Sequence, residues 1–129
     1  EAVADAELAL VRRSLIDSAA AEDVNAAQGL IALMQRQLAA AQDHALVLGR
    51  KGAGERVAAF ILQLTDRFAT NREIDLPMSR ADIADYLALT IETVSRAFTQ
   101  MERDRAIALP SSRHVVLRDR CALEMLDAA

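Results

Sequence analysis

Polar and apolar residues alternate over the first twelve positions of the chain. Within Glu1–Arg12, alanines and leucines recur on one side, while Asp5 and Glu7 lie on the other. A period of two predicts a β-strand. A single strand is not stable alone, and no nearby segment is suited to pair with it. We therefore expect the chain to begin inside a larger β-rich domain.

From Asp23 to Arg50 the period changes, and apolar residues recur at alternating spacings of three and four. This heptad pattern predicts a long helix that forms a parallel two-helix coiled coil. The alternative is a single amphipathic helix packed on its own domain. In the coiled-coil interpretation the homodimer interface consists of Val24, Ala27, Ile31, Met34, Leu38, Ala41, Ala45 and Leu48.

Two glycines, Gly52 and Gly54, interrupt this pattern and predict a hinge between domains, because each destabilises a helix by about 1 kcal/mol relative to alanine. The apolar spacing that follows predicts another helix, with one side formed by Val57, Phe60, Ile61, Leu64 and Phe68. The residues "EIDLP" after it alternate like a short strand.

The stretch "SRADIADYLALTIETVSRAFTQM", from Ser79 to Met101, predicts two short helices joined by a tight turn. Ser79 can cap the first helix, with Asp82 at the capping-box position, and Thr90 can cap the second. Two helices joined by so short a connection are typical of a helix-turn-helix. We expect its first helix to bury Ile83, Ala84 and Leu87, and its second to bury Ile91, Val94, Phe98 and Met101.

The opposite side of the second helix is polar. Such a side is usually only solvated, but here its chemistry suits the major groove of DNA. Arginine can donate two hydrogen bonds to guanine O6 and N7, serine can donate or accept, and glutamate can accept from the amine of cytosine. We therefore name Glu92, Ser95 and Arg96 as candidate base-reading residues, with Thr99 and Arg103 beside them.

After this helix, "AIAL" and "HVVL" flank a turn at Pro110, which predicts a β-hairpin wing. Polar side chains at the tip of a wing are suited to contact phosphates. The candidate phosphate contacts of the whole domain are Arg80, Thr90, Thr99, Arg103, Ser111, Ser112 and Arg113.

Composition limits the remaining possibilities. The chain has 129 residues, 53% hydrophobic and 3% aromatic, and its net charge is −4, so a DNA-binding surface must be a local patch. The single Cys121 cannot form an internal disulfide or, alone, a metal site, and we expect it to be a buried apolar residue in a cytoplasmic protein. No apolar run is long enough for a membrane span.

The alternatives to DNA recognition are a coiled-coil protein-interaction module and an enzyme with Glu92 as acid or base. The sequence shows no paired carboxylates, nucleophile–histidine set or phosphate-binding loop, so we predict that the chain is not an enzyme.

Residues Gly52–Leu117 resemble the DNA-binding half of the Crp/Fnr superfamily of bacterial transcription regulators. The segments "ERVAAFILQL" and "SRADIADYLALTIETVSRAF" are similar to its Fnr/FixK branch. The resemblance implies a mainly α fold with a small β component, in three parts. These are the end of a sensor β-roll over 1–22, a dimerisation helix over 23–51 and a winged helix-turn-helix domain over 52–129.

The resemblance also implies a function. A homodimer would read a TTGAT…ATCAA-like palindrome in double-stranded DNA through the recognition helix 91–101, with Glu92, Ser95 and Arg96 on the bases. Ala69–Arg72 would contact RNA polymerase.

The chain departs from the family at two points. Ala88 lies in the turn where the family often has glycine, and an alanine there costs stability if the backbone needs a positive φ. The chain lacks a cysteine cluster, so the iron–sulfur site of some relatives is not implied. No cofactor is predicted in this chain, and the effector of the sensor domain stays unidentified.

Overall fold

A computed structural model of the chain describes residues 5–68 and 72–128. It confirms the predicted fold class, in which a long helix is followed by a winged helix-turn-helix with a small sheet. In chain order the elements are α1 (Arg13–Glu22), α2 (Val24–Arg50), α3 (Ala53–Arg67), β1 (Glu73–Asp75), α4 (Arg80–Leu87), α5 (Ile91–Arg103), β2 (Ile107–Ala108), β3 (His114–Leu117) and α6 (Arg120–Ala128).

The chain divides into two compact units, with the division in the sequence between Leu46 and Val47. In the first unit, the strand predicted at the start of the chain is wrong for residues 5–12, which form neither helix nor strand. A strand needs a partner for its backbone hydrogen bonds, and the described strands pair only among themselves. Residues 1–4 of this prediction lie outside the described residues.

The long helix predicted from the heptad pattern is confirmed as α2. Asp23 precedes it, and its Oδ1 accepts a hydrogen bond of 2.8 Å from the main-chain N–H of Asn25. Large apolar side chains along the predicted seam are exposed in the single chain, Ile31 at 55%, Met34 at 63% and Leu38 at 60%. The structure therefore does not show the alternative, in which α2 is a single amphipathic helix that buries this side against its own domain.

The second unit has a hydrophobic core to which α3, α4, α5, the sheet and α6 all contribute. The predicted buried sides of the helices are confirmed for Val57, Phe60, Ile61, Leu64, Ile83, Ala84, Leu87, Val94, Phe98 and Met101. The prediction is wrong for two residues at helix ends. Phe68 follows the last residue of α3 and Ile91 is the first of α5, and both are about half exposed because they extend beyond the packed part of their helices.

The expectation that Cys121 is buried is also wrong. Cys121 is exposed, because α6 turns Leu123 into the core and Ala122 against it, which leaves Cys121 on the outer side. In the part of the chain that the structure describes, none of the helices has the length and apolarity to cross a membrane.

The small sheet confirms the predicted strand in "EIDLP" and the predicted wing. Its strand order is β1-β3-β2, and both pairs are antiparallel. Ile74 pairs with Val115, and Ile107 pairs with Leu117, so each pair places apolar side chains on the core side. The wing is thereby attached to the strand that precedes the helix-turn-helix.

The turn between α4 and α5 has a left-handed residue. Ala88 has φ 51° and ψ 49°, which confirms the positive φ considered from the sequence. The next residue closes the turn, since the N–H of Leu89 donates to the carbonyl oxygen of Ala84 at 2.9 Å. For a residue with a Cβ atom this conformation costs roughly 1–2 kcal/mol.

We therefore predict that Ala88→Gly raises the free energy of unfolding by about 1 kcal/mol, because glycine adopts a positive φ without steric cost. Urea unfolding of both proteins measures the change. Ala59→Gly, in the interior of α3, is the matched control and should lower the free energy of unfolding by about 1 kcal/mol. A destabilised Ala88→Gly variant would contradict the strain at this turn.

Candidate nucleic-acid interface

The second helix of the helix-turn-helix, α5, presents two chemically different sides. Val94 and Phe98 are buried in the core, while Glu92, Ser95 and Arg96 are exposed. Because residues three and four apart are neighbours on a helix surface, these three polar side chains form one group at the N-terminal half of α5. The structure thus brings together the three residues that the sequence suggested for base reading.

The starts of α4 and α5 are both fixed by capping groups, as predicted. The hydroxyl of Ser79 and the carboxylate of Asp82 form a capping box at α4, and the hydroxyl of Thr90 accepts a hydrogen bond of 3.2 Å from the main-chain N–H of Thr93 at α5. Thr90 therefore caps α5. Its predicted contact with a phosphate stays a prediction.

Glu92 lies in the first turn of α5, where the helix N-terminus favours negative charge. Its own backbone N–H lowers the pKa of its carboxyl group, and the Thr90 side chain and the charge of Arg96 lower it further. The carboxylate is therefore ionised at neutral pH and can only accept hydrogen bonds. An acceptor at this point of the surface suits the exocyclic amine of a base and disfavours a phosphate.

A shallow depression continues from the three residues along the outer side of α5. It is lined by Ser95, Arg96, Thr99, Gln100 and Arg103. The hydroxyl of Thr99 donates to the carbonyl oxygen of Ser95 at 3.0 Å, and the amide of Gln100 donates to Asp104 at 2.9 Å. The two arginines give this outer side a local positive charge although the chain as a whole is acidic.

The wing tip is shaped by a serine hydroxyl. Oγ of Ser111 accepts from the main-chain N–H of His114 at 3.1 Å and from that of Arg113 at 3.4 Å. Ser111, Ser112 and Arg113 are all exposed there. The wing is also joined to α5, because Oε1 of Glu102 accepts a hydrogen bond of 3.0 Å from the N–H of Leu109. Sequence patterns did not indicate this role of Glu102.

Arg80 differs from the other phosphate candidates. The central carbon of its guanidinium lies 3.3 Å from the centroid of the Phe98 ring, so the cation stacks on a core residue of α5. Partial burial lowers the pKa of Arg80, and its Nη1 has no hydrogen-bond partner among the described residues. Arg80 therefore fastens α4 to α5, and its predicted phosphate contact stays a prediction.

His114 forms an ion-pair cluster that sequence reasoning missed. Its Nδ1 lies 2.7 Å from Oδ1 of Asp75, and its Nε2 lies 3.7 Å from Oε2 of Glu73. The hydrogen bond with Asp75 is the main cause that raises the pKa of His114, and the negative charges of both carboxylates add to it. Only the pairing of β1 with β3 brings these residues together, and no local pattern reveals that register.

In the two described ranges, no three histidine, cysteine, aspartate or glutamate side chains are grouped so that they could hold a metal ion.

Comparison with known proteins places these features in a family. Residues 55–126 match the family described as the Crp-like helix-turn-helix domain, which is more than half of the chain. The chain is 50% identical over 133 residues to the nitrogen fixation regulation protein FixK of Azorhizobium caulinodans, with 99% of this chain and 54% of that protein covered. It is 35% identical over 115 residues to the fumarate and nitrate reduction regulatory protein of Escherichia coli, with 86% and 46% covered.

Among solved structures, FixK2 from Bradyrhizobium japonicum matches with a TM-score of 0.87 and 48% identity. The match covers 92% of this chain and 60% of FixK2. The chain thus spans little more than half the length of the FixK proteins it matches.

We predict that the imidazole of His114 titrates above its ordinary value of about 6.5 and that Asp75→Asn moves this pKa back toward it. Glu73→Gln should produce a smaller shift, because its carboxylate lies farther away. An NMR titration of the ring measures all three values. An Asp75→Asn variant whose His114 pKa equals that of the unchanged chain would contradict the assignment.

The same pair makes the stability of the domain depend on pH. Because folding raises the pKa of His114, the contribution of the pair is fully present below about pH 6.5 and is lost as pH rises through the folded pKa. Urea unfolding over this window should therefore show a difference between the unchanged chain and His114→Gln that is largest at the acidic end.

Proposed function

The chain belongs to the Crp/Fnr family and is FixK-like, and on that premise we propose that it is part of a sequence-specific DNA-binding transcription regulator. The observation that carries the proposal is the exposed group of Glu92, Ser95 and Arg96 at the start of α5, held outward by a buried apolar side. Regulation belongs to the whole protein, of which this chain covers little more than half in its FixK relatives.

Base reading follows from the chemistry of these three residues. A TTGAT half-site contains one G·C pair, whose guanine offers O6 and N7 and whose cytosine offers a donor amine in the major groove. Arg96 suits the guanine, and the ionised Glu92 suits the cytosine. Ser95 adds a group that donates or accepts. A carboxylate that is repelled by phosphates makes this helix selective, because it is stabilised only where a donor amine is present.

Dimerisation follows from the seam of α2. Its large apolar residues Val24, Ile31, Met34 and Leu38 are exposed in the single chain, and the seam repeats as heptads, which is the pattern that a second copy buries in a coiled coil. A homodimer would present two α5 helices to half-sites about 34 Å apart, and a palindrome has the matching symmetry. The proposed interface consists of Val24, Ala27, Ile31, Met34, Leu38, Ala41, Ala45 and Leu48.

The other predicted contacts complete the proposal. Thr99, Arg103, Ser112 and Arg113 are exposed and suited to phosphates. The predicted RNA polymerase contact at 69–72 falls mostly outside the described residues, since 69–71 are not described. We place the regulator in the bacterial cytoplasm, acting by binding without catalysis, with its effector held by another part of the protein.

A protein-interaction module is the second candidate, and the exposed seam of α2 favours it as well. In that case the helix-turn-helix would fold without reading DNA. Selective DNA binding separates the two, because a module of this kind gains nothing from a particular base sequence.

We predict that the chain binds a TTGAT…ATCAA duplex more tightly than a scrambled duplex at the same stated salt concentration. Arg96→Ala should lose about 1–3 kcal/mol on the palindrome and little on the scrambled duplex, because it removes a base contact. Arg113→Ala should weaken both equally and reduce the salt slope by about one. Fluorescence anisotropy titrations measure these affinities.

Arg67→Ala is the matched control for these titrations, because Arg67 is an exposed arginine at the end of α3 that is not among the proposed DNA contacts. Its affinities should equal those of the unchanged chain. Equal affinity of the unchanged chain for both duplexes would reject sequence-specific reading and leave the interaction module as the better account.

A further inference from the structure

One arginine of the second unit contacts the ends of two helices at once. Arg56 is the fourth residue of α3, and its guanidinium donates three hydrogen bonds to main-chain carbonyl oxygens. Nη2 donates to Leu48 at 2.8 Å, Nε to Lys51 at 2.9 Å, and Nη1 to Leu87 at 3.1 Å. The side chain is half-buried, so these bonds are partly shielded from water.

The three carbonyl acceptors all lie at the C-terminal end of a helix. Leu48 is in the last turn of α2, Lys51 follows that helix, and Leu87 is the last residue of α4. The last four carbonyls of a helix have no partner within the helix, so they need a donor from elsewhere. Arg56 supplies that donor to α2 and to α4 together. Removal of the guanidinium would leave carbonyls unsatisfied at both helix ends.

The position of Arg56 is not explained by α3 itself. A cation near the start of a helix faces the positive end of the helix dipole, which is unfavourable. The same cation is favourable at the C-terminal ends of α2 and α4. A planar guanidinium with donors in fixed directions can serve three carbonyls at once, whereas a lysine ammonium is a compact charge on a flexible stem. The site therefore requires arginine specifically.

The bond to Leu87 lies directly before the turn that leads to α5. Ala88, the next residue, has the left-handed conformation, and α5 begins at Ile91. The last turn of α2 is thus connected through a single side chain to the turn that orients the base-reading helix.

We propose that Arg56 is a positioning residue for DNA reading, which holds the helix-turn-helix at a fixed angle to the last turn of α2. This inference rests on the proposed function. In a dimer joined through α2, that angle determines which separation of half-sites both copies can read at the same time. Arg56 thus contributes to the choice of half-site spacing and makes no contact with DNA.

The first test needs no DNA. In Arg56→Lys, amide hydrogen exchange should become about tenfold faster at Lys51 and Leu89, whose amides lie at the two helix ends that Arg56 joins. The amide of Ile61, in the core part of α3, should keep its protection. Arg67→Lys, which makes the same substitution at an exposed position of the same helix, should change none of these hydrogen-exchange rates. Unchanged rates at both Lys51 and Leu89 in Arg56→Lys would overturn the proposal.

The second test uses duplexes in which the spacer between the half-sites is lengthened or shortened by one base pair. The unchanged chain should bind its preferred spacing about tenfold more tightly than the others, since fixed recognition helices tolerate only one separation. In Arg56→Lys this preference should fall below about threefold, while affinity for a duplex with a single half-site stays within about twofold.

Two results would overturn the proposal in this test. One is a spacing preference that does not change in Arg56→Lys. The other is a parallel loss of affinity for the single half-site, which would give Arg56 a general role in folding. Arg56→Gln is a second variant in case the lysine variant unfolds. If the core amides lose their protection in both variants, Arg56 has a general role in folding, and the proposal is overturned. If the unchanged chain shows no sequence preference, the proposed function fails, and the exchange rates still decide the Arg56 contact.

Discussion

The burial of one side of α5 is the constraint on which the rest of the structure depends. Val94 and Phe98 are almost completely buried, and the spacing of a helix then turns Glu92, Ser95 and Arg96 outward. A rotation of α5 that exposed Phe98 would cost about 1.5–3 kcal/mol of hydrophobic free energy for that side chain alone, so the outward side is fixed by the core. The selective reading of DNA that we propose would thus depend on apolar residues that make no contact with DNA.

Polar contacts then fix α5 at both of its ends. At the start, Arg56 satisfies the carbonyl of Leu87 before the left-handed turn, and at the end, Glu102 accepts a hydrogen bond from Leu109 of the wing. Arg80 adds a cation over the Phe98 ring. These contacts determine where Glu92, Ser95, Arg96 and the wing lie in the second unit. They thereby fix the position of the local DNA-binding surface that we propose for a chain with a net charge of −4.

Features that depend on neighbouring residues could be predicted from the sequence, and features that depend on tertiary contacts could not. The length of helix α2, the capping box at Ser79 and the buried side of α4 follow from local patterns, and each is confirmed. The contact of Arg56 with Leu87 and the pairing of His114 with Asp75 join residues 31 and 39 positions apart, so no local pattern carries them. Cys121 was predicted wrongly because composition cannot tell which side of α6 faces the core.

We propose that two copies of this chain, joined through α2, read one palindrome through their α5 helices. Native mass spectrometry of the chain with a TTGAT…ATCAA duplex is the sharpest test of this proposal. We expect a complex of two chains with one duplex, which is absent with a scrambled duplex and lost in Leu38→Asp, because a charge in the seam opposes pairing. A complex of one chain with one duplex, or an equally abundant complex with the scrambled duplex, would contradict it.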